Sequence, residues 1–433
     1  MTVDAVVVGA GPAGSAAALE LARAGRDVVL VERGAFPGAK NVYGGVVYGR
    51  ILDEVIPQWW TQAPVQRWVT RRATMLMTPT QALTIDFRTS AWDRPPYNGM
   101  TTYRADFDSW LAGKAVAAGA RLVTSTVATS LLRMSPSGRI VGVRTDRPDG
   151  DIRAKIVIAC DGVNSFLAKE AGLLPRASPA HITLGVKETL ALPREVIDER
   201  FGLTGDQGLD IEMVGCTSGI PGGGFLYTNL DTVNVGVVVG LTGLAAAKTR
   251  PEELIARLKA HPAIAPYLRG AELKEYSAHL IPEGGYRAMP RLSSDGMLVA
   301  GDAASMCLTA GLWLEGINFA IGAGLAAGQT AAEAIAAGDT SARGLAGYRR
   351  RLEACFVLAD HKRLRNAAHI VLADRMQREY PGLACDFVEQ VFTVTNPAPK
   401  IGMAREFYRA VRLNKVRLRS LARDGWQALR AFR

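Results

Sequence analysis

The chain has 433 residues, 48% of them hydrophobic, and a formal net charge of +10. Such a length and apolar content suit a sizeable core in two or three domains, and there is no internal repeat or low-complexity segment. The five cysteines (Cys160, Cys216, Cys307, Cys355, Cys385) are scattered without a Cys-x-x-Cys pair, so no disulfide framework, zinc site or four-thiolate iron–sulfur cluster is readable from them.

The first strand is expected over Asp4–Val8, with apolar residues from Val3 onward. That leaves no room for the charged and apolar regions of a leader, and the expectation is a cytoplasmic protein that meets any membrane from one side. The strand runs into Gly9-Ala-Gly11-Pro12-Ala13-Gly14, an Ala-rich helix, and a second strand Asp27–Val31 ending in Glu32 and Arg33. In this arrangement Gly9 permits a tight turn, Gly11 lets the backbone approach a pyrophosphate, and Gly14 lets the helix pack on the strand. The helix N-terminus offers N–H groups to the phosphates. Glu32 is placed to accept hydrogen bonds from an adenosine ribose. Strand, glycines, helix, strand and terminal acid in register read as a dinucleotide site for FAD or NAD.

Gly44 and Gly45 follow. A helix is expected from Thr102, carrying Arg104, and then a strand from Arg121 to Val127. Further strands are expected at Ile140–Arg144 and Ile152–Ile158, with a turn at Asp161-Gly162. Gly44, Gly45, Arg104, Val127, Asp161 and Gly162 join the cofactor-binding candidates. The segments 181–191, 210–214, 225–229 and 232–240 alternate as a separate sheet, expected to be a substrate domain.

A second strand, turn and helix begins at Gly296 and passes Gly301-Asp302 to Gly316-Ile317-Asn318 and a small-residue helix, Phe319–Ala337. The Asp302 carboxylate suits a polyhydroxyl ribityl chain, and N–H groups near Gly316–Asn318 suit the electron-rich edge of a flavin ring. A nicotinamide enzyme has no use for such a distant second site, so the cofactor expected is FAD. Glu315, Asn318, Gln329 and Glu333 interrupt this apolar stretch, and it does not read as a membrane span. Residues 400–433 carry ten Lys and Arg against Glu406 and Asp424, interleaved with apolar residues such as Val411, Leu418 and Trp426. They read as a basic amphipathic helix for an anionic membrane or an acidic partner. No recognition motif accompanies the charge, which argues against nucleic acid.

The run Lys40-Asn-Val-Tyr43-Gly44-Gly45, Gly222-Gly-Gly-Phe225-Leu-Tyr227, Pro282-Glu-Gly-Gly-Tyr286 and Gly301-Asp-Ala-Ala-Ser-Met-Cys307 are more diagnostic than the dinucleotide motif. On these the chain resembles the electron transfer flavoprotein:quinone oxidoreductases, within the glutathione-reductase-like flavoproteins that include geranylgeranyl reductases. The resemblance implies an α/β fold: an FAD-binding Rossmann domain (1–70, 100–175, 290–343), an inserted mixed-sheet substrate domain (71–99, 176–289) and a helical C-terminal region (344–433). It also implies electrons arriving through a cluster, passing to FAD and reducing a membrane quinone.

Single-chain members of that family carry their own cluster in a Cys-rich C-terminal segment, whereas here only Cys355 and Cys385 lie in the corresponding region. The implied partners are therefore a separate ferredoxin-like iron–sulfur subunit, a two-subunit electron transfer flavoprotein, and the inner face of the cell membrane. Tyr43, Phe225, Tyr227, Tyr286 and Trp313 are candidates for the quinone wall, and no proton donor is identifiable. The loop Gly311-Leu-Trp-Leu-Glu-Gly316 lacks the Pro found near the flavin in related monooxygenases, which weakens an oxygen-activating reading. Three alternatives stand beside the quinone reading: a geranylgeranyl-reductase-like enzyme, an FAD-dependent monooxygenase, and a non-catalytic flavin relay subunit.

Overall fold

The computed structural model describes residues 1–40, 45–135, 138–174, 178–311 and 314–432. They form two compact units, one of 1–65, 102–182 and 280–365, the other of 66–101, 183–279 and 366–433.

The first unit is built on five parallel strands: β1 (Thr2–Val8), β2 (Val28–Val31), β3 (Arg121–Val123), β4 (Ile152–Ala159) and β5 (Met297–Val299). Their order is β5-β4-β1-β2-β3. Ala5–Val8 of β1, all of β2 and all of β5 are buried apolar runs because both faces of a parallel sheet are covered. Helix α1 (Pro12–Arg23) follows β1, α2 (Arg104–Ala117) precedes β3, and α3 (Ile317–Ala336) follows β5. α3 lies against α1 with backbones nearly touching. A Cβ at Gly324 would sit 2.1 Å from the Ala13 carbonyl oxygen, and one at Gly328 2.6 Å from that of Ala17. This four-residue spacing puts the turn after β5 beside the turn after β1.

The second unit holds a mixed sheet in the order 272–282, 182–191, 232–240, 222–228, 207–214, 67–77, 100–101. The strand Ala82–Arg88 pairs back on Arg67–Met77. Alternation assigns its faces: Leu209, Ile211, Met213, Val186, Leu190, Val233, Val235, Val237 and Val239 form a core with Ile197, Phe201, Leu254 and Leu258 from two helices. The other face carries Arg72, Asp210, Glu212, Tyr227, Asn234 and Lys187. Arg67, fully buried, pins the end of this sheet by donating to the carbonyls of Asn229 (2.6 Å) and Gln207 (2.8 Å) and pairing with Asp198 at 2.7 Å.

Several expected boundaries are corrected. Residues 66–70 belong to the second sheet because Trp68 and Val69 already pair with Gln207 and Gly208. Residues from Gly344 onward are helical as expected but divide between the two units. Up to Arg365 they pack in the first unit, where buried Tyr348 donates to the Val299 carbonyl at 2.9 Å and Phe356 meets Phe319 edge-on at 5.0 Å. Residues 366–433 belong to the second unit as α4 (Asp374–Phe392), α5 (Met403–Leu413) and α6 (Leu418–Ala431). The single amphipathic helix expected over 400–433 is thus two, broken where Lys415 turns to φ +52°. Phe407, Ala410 and Val411 of α5, Val416 of the turn and Leu421 of α6 pack with Tyr380, Leu383 and Phe387 of α4.

Candidate functional site

The three glycines of the first motif have separate physical roles. Gly9 sits at φ +99°, and a Cβ there would lie 2.2 Å from the Cys160 carbonyl oxygen at the end of β4. A Cβ at Gly14 would meet the Gly9 oxygen at 1.8 Å and Val7 at 3.3 Å, so this glycine seats α1 on β1. A Cβ at Gly11 meets nothing within 4 Å. The space in front of Gly11 is open, as backbone approach by a pyrophosphate requires. Gly11 is also the N-cap of α1, with Pro12 at the first helical position and neither a capping side chain nor an acid in the first turn. No side chain caps the first turn, so its N–H groups and the positive end of the helix dipole are left to face a ligand.

Glu32 is buried and built into this loop. One carboxylate oxygen accepts from the Ala10 N–H at 3.0 Å and the other from the Gly34 N–H at 2.6 Å. Two backbone bonds leave further lone pairs for ribose hydroxyls. The segment after β3 is laced to the same strand end, Ser125 and Thr126 donating to the Gly34 and Glu32 carbonyls. Val127 follows, beyond β3 rather than in it. Asp146 occupies both its N–H and its carbonyl, so only its side chain is left to line a cofactor. Arg33 is exposed.

The second set of candidates converges on the same end of the sheet. Arg104, in the first turn of α2, is buried and grips Asp108 bidentately at 2.9 and 2.8 Å. Burial pushes the Asp108 carboxyl upward against the pull of Arg104, and the nearby Glu32 charge adds to the rise. Thr102 donates to the Gly45 carbonyl at 2.7 Å, which sets Gly45 beside the start of α2; Gly44 lies outside the described residues. Asp302 follows Gly301, where a Cβ would come within 2.8 Å of that of Ala13 in α1. Burial raises the Asp302 carboxyl and the Arg104 charge opposes it. Two motifs nearly three hundred residues apart are thus in one electrostatic neighbourhood.

Asp161 accepts from the Leu167 N–H at 3.1 Å through one oxygen and leaves the other buried and unpartnered, with burial raising its pKa. Ser165 ties the Asp161-Gly162 turn to the Gly301 turn, its hydroxyl lying 3.3 Å from the Ala303 carbonyl. Gly316 caps α3 without a side chain, and buried Asn318 donates to Glu315 at 2.5 Å. Ile317 between them supplies the first helical N–H. Beside this turn, burial and the Asp302 and Glu283 charges hold the Cys307 thiol well above its usual range, so it is protonated at neutral pH.

Of the quinone candidates, Phe225 and Tyr227 are stacked on one face of the second unit's sheet, centroids 6.0 Å apart at 19°. Tyr286 belongs to the first unit, its hydroxyl 3.5 Å from Arg349. Tyr43 and Trp313 lie outside the described residues. Sequence reasoning missed Asp108, which an i, i+4 Arg–Asp spacing signals, and the charges alternating in Leu209-Asp-Ile-Glu-Met213.

Residues 4–173 match a family described as "FAD dependent oxidoreductase", and residues 367–433 match the "ETF-QO/FixC family C-terminal domain". Protein FixC of Escherichia coli O157:H7 is 41% identical over 428 residues, 98% of each chain. The chain belongs to the ETF-QO/FixC family. Another relative, the "Probable electron transfer flavoprotein-quinone oxidoreductase YdiS" of Escherichia coli K12, is 38% identical over 98% of this chain and 97% of its own. Among solved structures, a geranylgeranyl bacteriochlorophyll reductase-like protein from Thermoplasma acidophilum shares the fold, with a TM-score of 0.72 at 22% identity over 95% of this chain and 96% of that one.

Membership makes the ETF-QO/FixC chain an FAD-dependent oxidoreductase, and the open ground before Gly11, the two uncapped helix N-termini and the carboxylates of Glu32 and Asp302 fit that cofactor. Bound FAD supplies a ring that takes up and releases electrons. α1 and Gly11 would hold the pyrophosphate, Glu32 the adenosine ribose and Asp302 the ribityl hydroxyls. The N-terminus of α3 would stabilise negative charge on the ring when it is reduced.

Proposed function

We propose that this chain carries electrons from a two-subunit electron transfer flavoprotein (FixA/FixB-like), through a separate ferredoxin-like iron–sulfur subunit (FixX-like), to a membrane quinone. The observation that carries this reading is the near full-length identity to FixC and to a relative named as an electron transfer flavoprotein-quinone oxidoreductase. The matched C-terminal domain contains one cysteine, Cys385, which supports a cluster supplied in trans.

A peripheral seat on the inner face of the cell membrane is supported by the surface of the second unit. No helix among the described residues is long and apolar enough to cross a membrane. Gln81 donates to Glu389 at 2.8 Å, placing the turn before the exposed strand residues Ile85 and Phe87 beside the end of α4. There Phe392 and Val394 are 79% and 73% exposed, and Met403 follows at 65%. Apolar residues this exposed, in a unit whose α5 also exposes Arg405, Arg409 and Arg412, suit insertion at an anionic headgroup layer.

Reconstitution tests the reading. The FAD-loaded chain, the reduced ferredoxin-like subunit and quinone-containing anionic vesicles should together produce quinol, and omitting the small subunit should abolish electron entry. Quinol formation at the full rate without it would overturn the relay.

A further inference from the structure

The second face of the second unit's sheet is polar and nevertheless buried. Cross-strand register puts Arg72 opposite Asp210, Asp210 opposite Tyr227, Tyr227 opposite Asn234, and Asn234 opposite Thr189. One row along, Thr74, Glu212, Phe225, Gly236 and Lys187 succeed one another in the same way. Asp210 is 5% exposed, Glu212 8%, Lys187 4% and Asn234 1%. Buried charges are costly, and a face that served only packing would be apolar like its reverse.

Arg72 donates to Glu212 at 2.6 Å and stands farther from Asp210, at 3.7 Å. Glu212 thus has the closer claim on the guanidinium, and Asp210 is the carboxyl less firmly held as an anion. Burial raises it to about 6 against the pull of Arg72.

A second observation points to a ligand. Asn234 turns its carbonyl oxygen to the Thr189 hydroxyl at 2.7 Å and leaves its amide nitrogen buried without a partner. Thr183, at the other end of the strand that carries Thr189, likewise leaves a buried hydroxyl unpartnered on this face. Buried polar atoms are normally satisfied, so the orphaned Asn234 amide in this row marks a place for a polar group of something bound.

We propose that this row holds the carbonyl-bearing head of the electron acceptor and that Asp210 delivers a proton to it. The inference rests on the quinone-reducing reading above. Two electrons from the reduced cofactor and two protons convert two C=O groups to two C–OH groups. Asp210 gives one proton, becomes the carboxylate that Arg72 stabilises, and is reprotonated from solvent before the next turnover; the medium supplies the other. The charged and titratable groups facing Asp210 from the sheet are Arg72, Glu212, Tyr227 and Lys187. α4, packed on the same strands, turns Arg378 away to the Gly219 carbonyl.

The test uses the full FAD-loaded chain, reduced anaerobically and mixed with a water-soluble benzoquinone or with ferricenium, which takes electrons without protons. Asp210→Asn should leave ferricenium reoxidation within about twofold of wild type and slow the quinone reaction tenfold or more. In wild type the quinone rate should fall as pH rises through about 6, and this dependence should vanish in the variant. Asp210→Glu should restore both. Independently of turnover, a protonated-carboxyl infrared band titrating near pH 6 should be present in wild type and missing in Asp210→Asn. Equal slowing with both acceptors, or an unchanged quinone rate and pH profile, overturns the assignment of Asp210 while leaving the quinone reading intact. A wild-type chain that no quinone reoxidises overturns both.

Discussion

At the scale of single residues, the cofactor loop separates ligand contact from packing. Gly11→Ala adds a methyl group into open space at an ordinary φ of −74°, so the apo protein should keep its stability within roughly 0.5 kcal/mol. The same methyl group occupies the approach to the helix N-terminus, and FAD affinity should drop. Gly14→Ala instead drives a methyl group into the Gly9 carbonyl and should destabilise the apo fold by about 1–3 kcal/mol. Thermal melts of both apo variants with FAD titrations check this; a destabilised Gly11→Ala with normal FAD binding would show that Gly11 serves packing alone. The tight turn at Gly9 and the helix seat at Gly14 were legible in the sequence because strand, turn and helix impose them locally, while the pyrophosphate role of Gly11 is what the titration tests. The bonds Glu32 makes to Ala10 and Gly34, and the loss of the Val127 backbone to Asp146, were not legible, because they depend on how loops distant in sequence close on one another.

At the scale of elements, the C-terminal helices are both packed and exposed. Asp424 of α6 receives Arg375 at 2.5 and 2.9 Å and the Tyr380 hydroxyl at 2.6 Å. Arg375 pulls its carboxyl down to about 2, with burial opposing. A depressed folded value means this contribution is complete above the ordinary carboxylate range, about 3.9, and is lost as pH falls toward 2. Asp424→Asn should therefore be less stable than wild type in urea at pH 6, and the gap should narrow as the solution is acidified below about pH 4. A gap independent of pH would mean the pair adds nothing to stability.

Deleting this segment would also remove the partners of Tyr380, Leu383 and Phe387, so point changes on the outer face test docking more cleanly. Phe392 and Val394, 79% and 73% exposed, should tolerate alanine with no loss of FAD. The double variant should sediment less with anionic vesicles, and wild-type binding should weaken with salt as the Debye length shortens. Unchanged sedimentation would place the membrane contact elsewhere, with Trp426 and Leu429 of α6, 63% and 70% exposed, the next to substitute.

At the scale of the whole molecule, the division of the chain was only partly readable. The Rossmann unit announced itself through glycines and apolar runs. Residues 66–70 and 344–433 were assigned to the wrong regions because affiliation there is set by long-range strand pairing and helix docking, which leave no local pattern. The buried charges of the second sheet were similarly hidden, since alternating Asp and Glu in a strand ordinarily signify a solvated face.

Electron transfer from the bound flavin to a quinone is the step on which the proposed function stands. Its most direct test is anaerobic stopped-flow mixing of the reduced, FAD-loaded chain with quinone or, separately, with oxygen, following the return of the oxidised flavin absorbance. Reoxidation should be fast and saturable with quinone and at least tenfold slower with oxygen. Rapid reaction with oxygen and none with any quinone would contradict the claim.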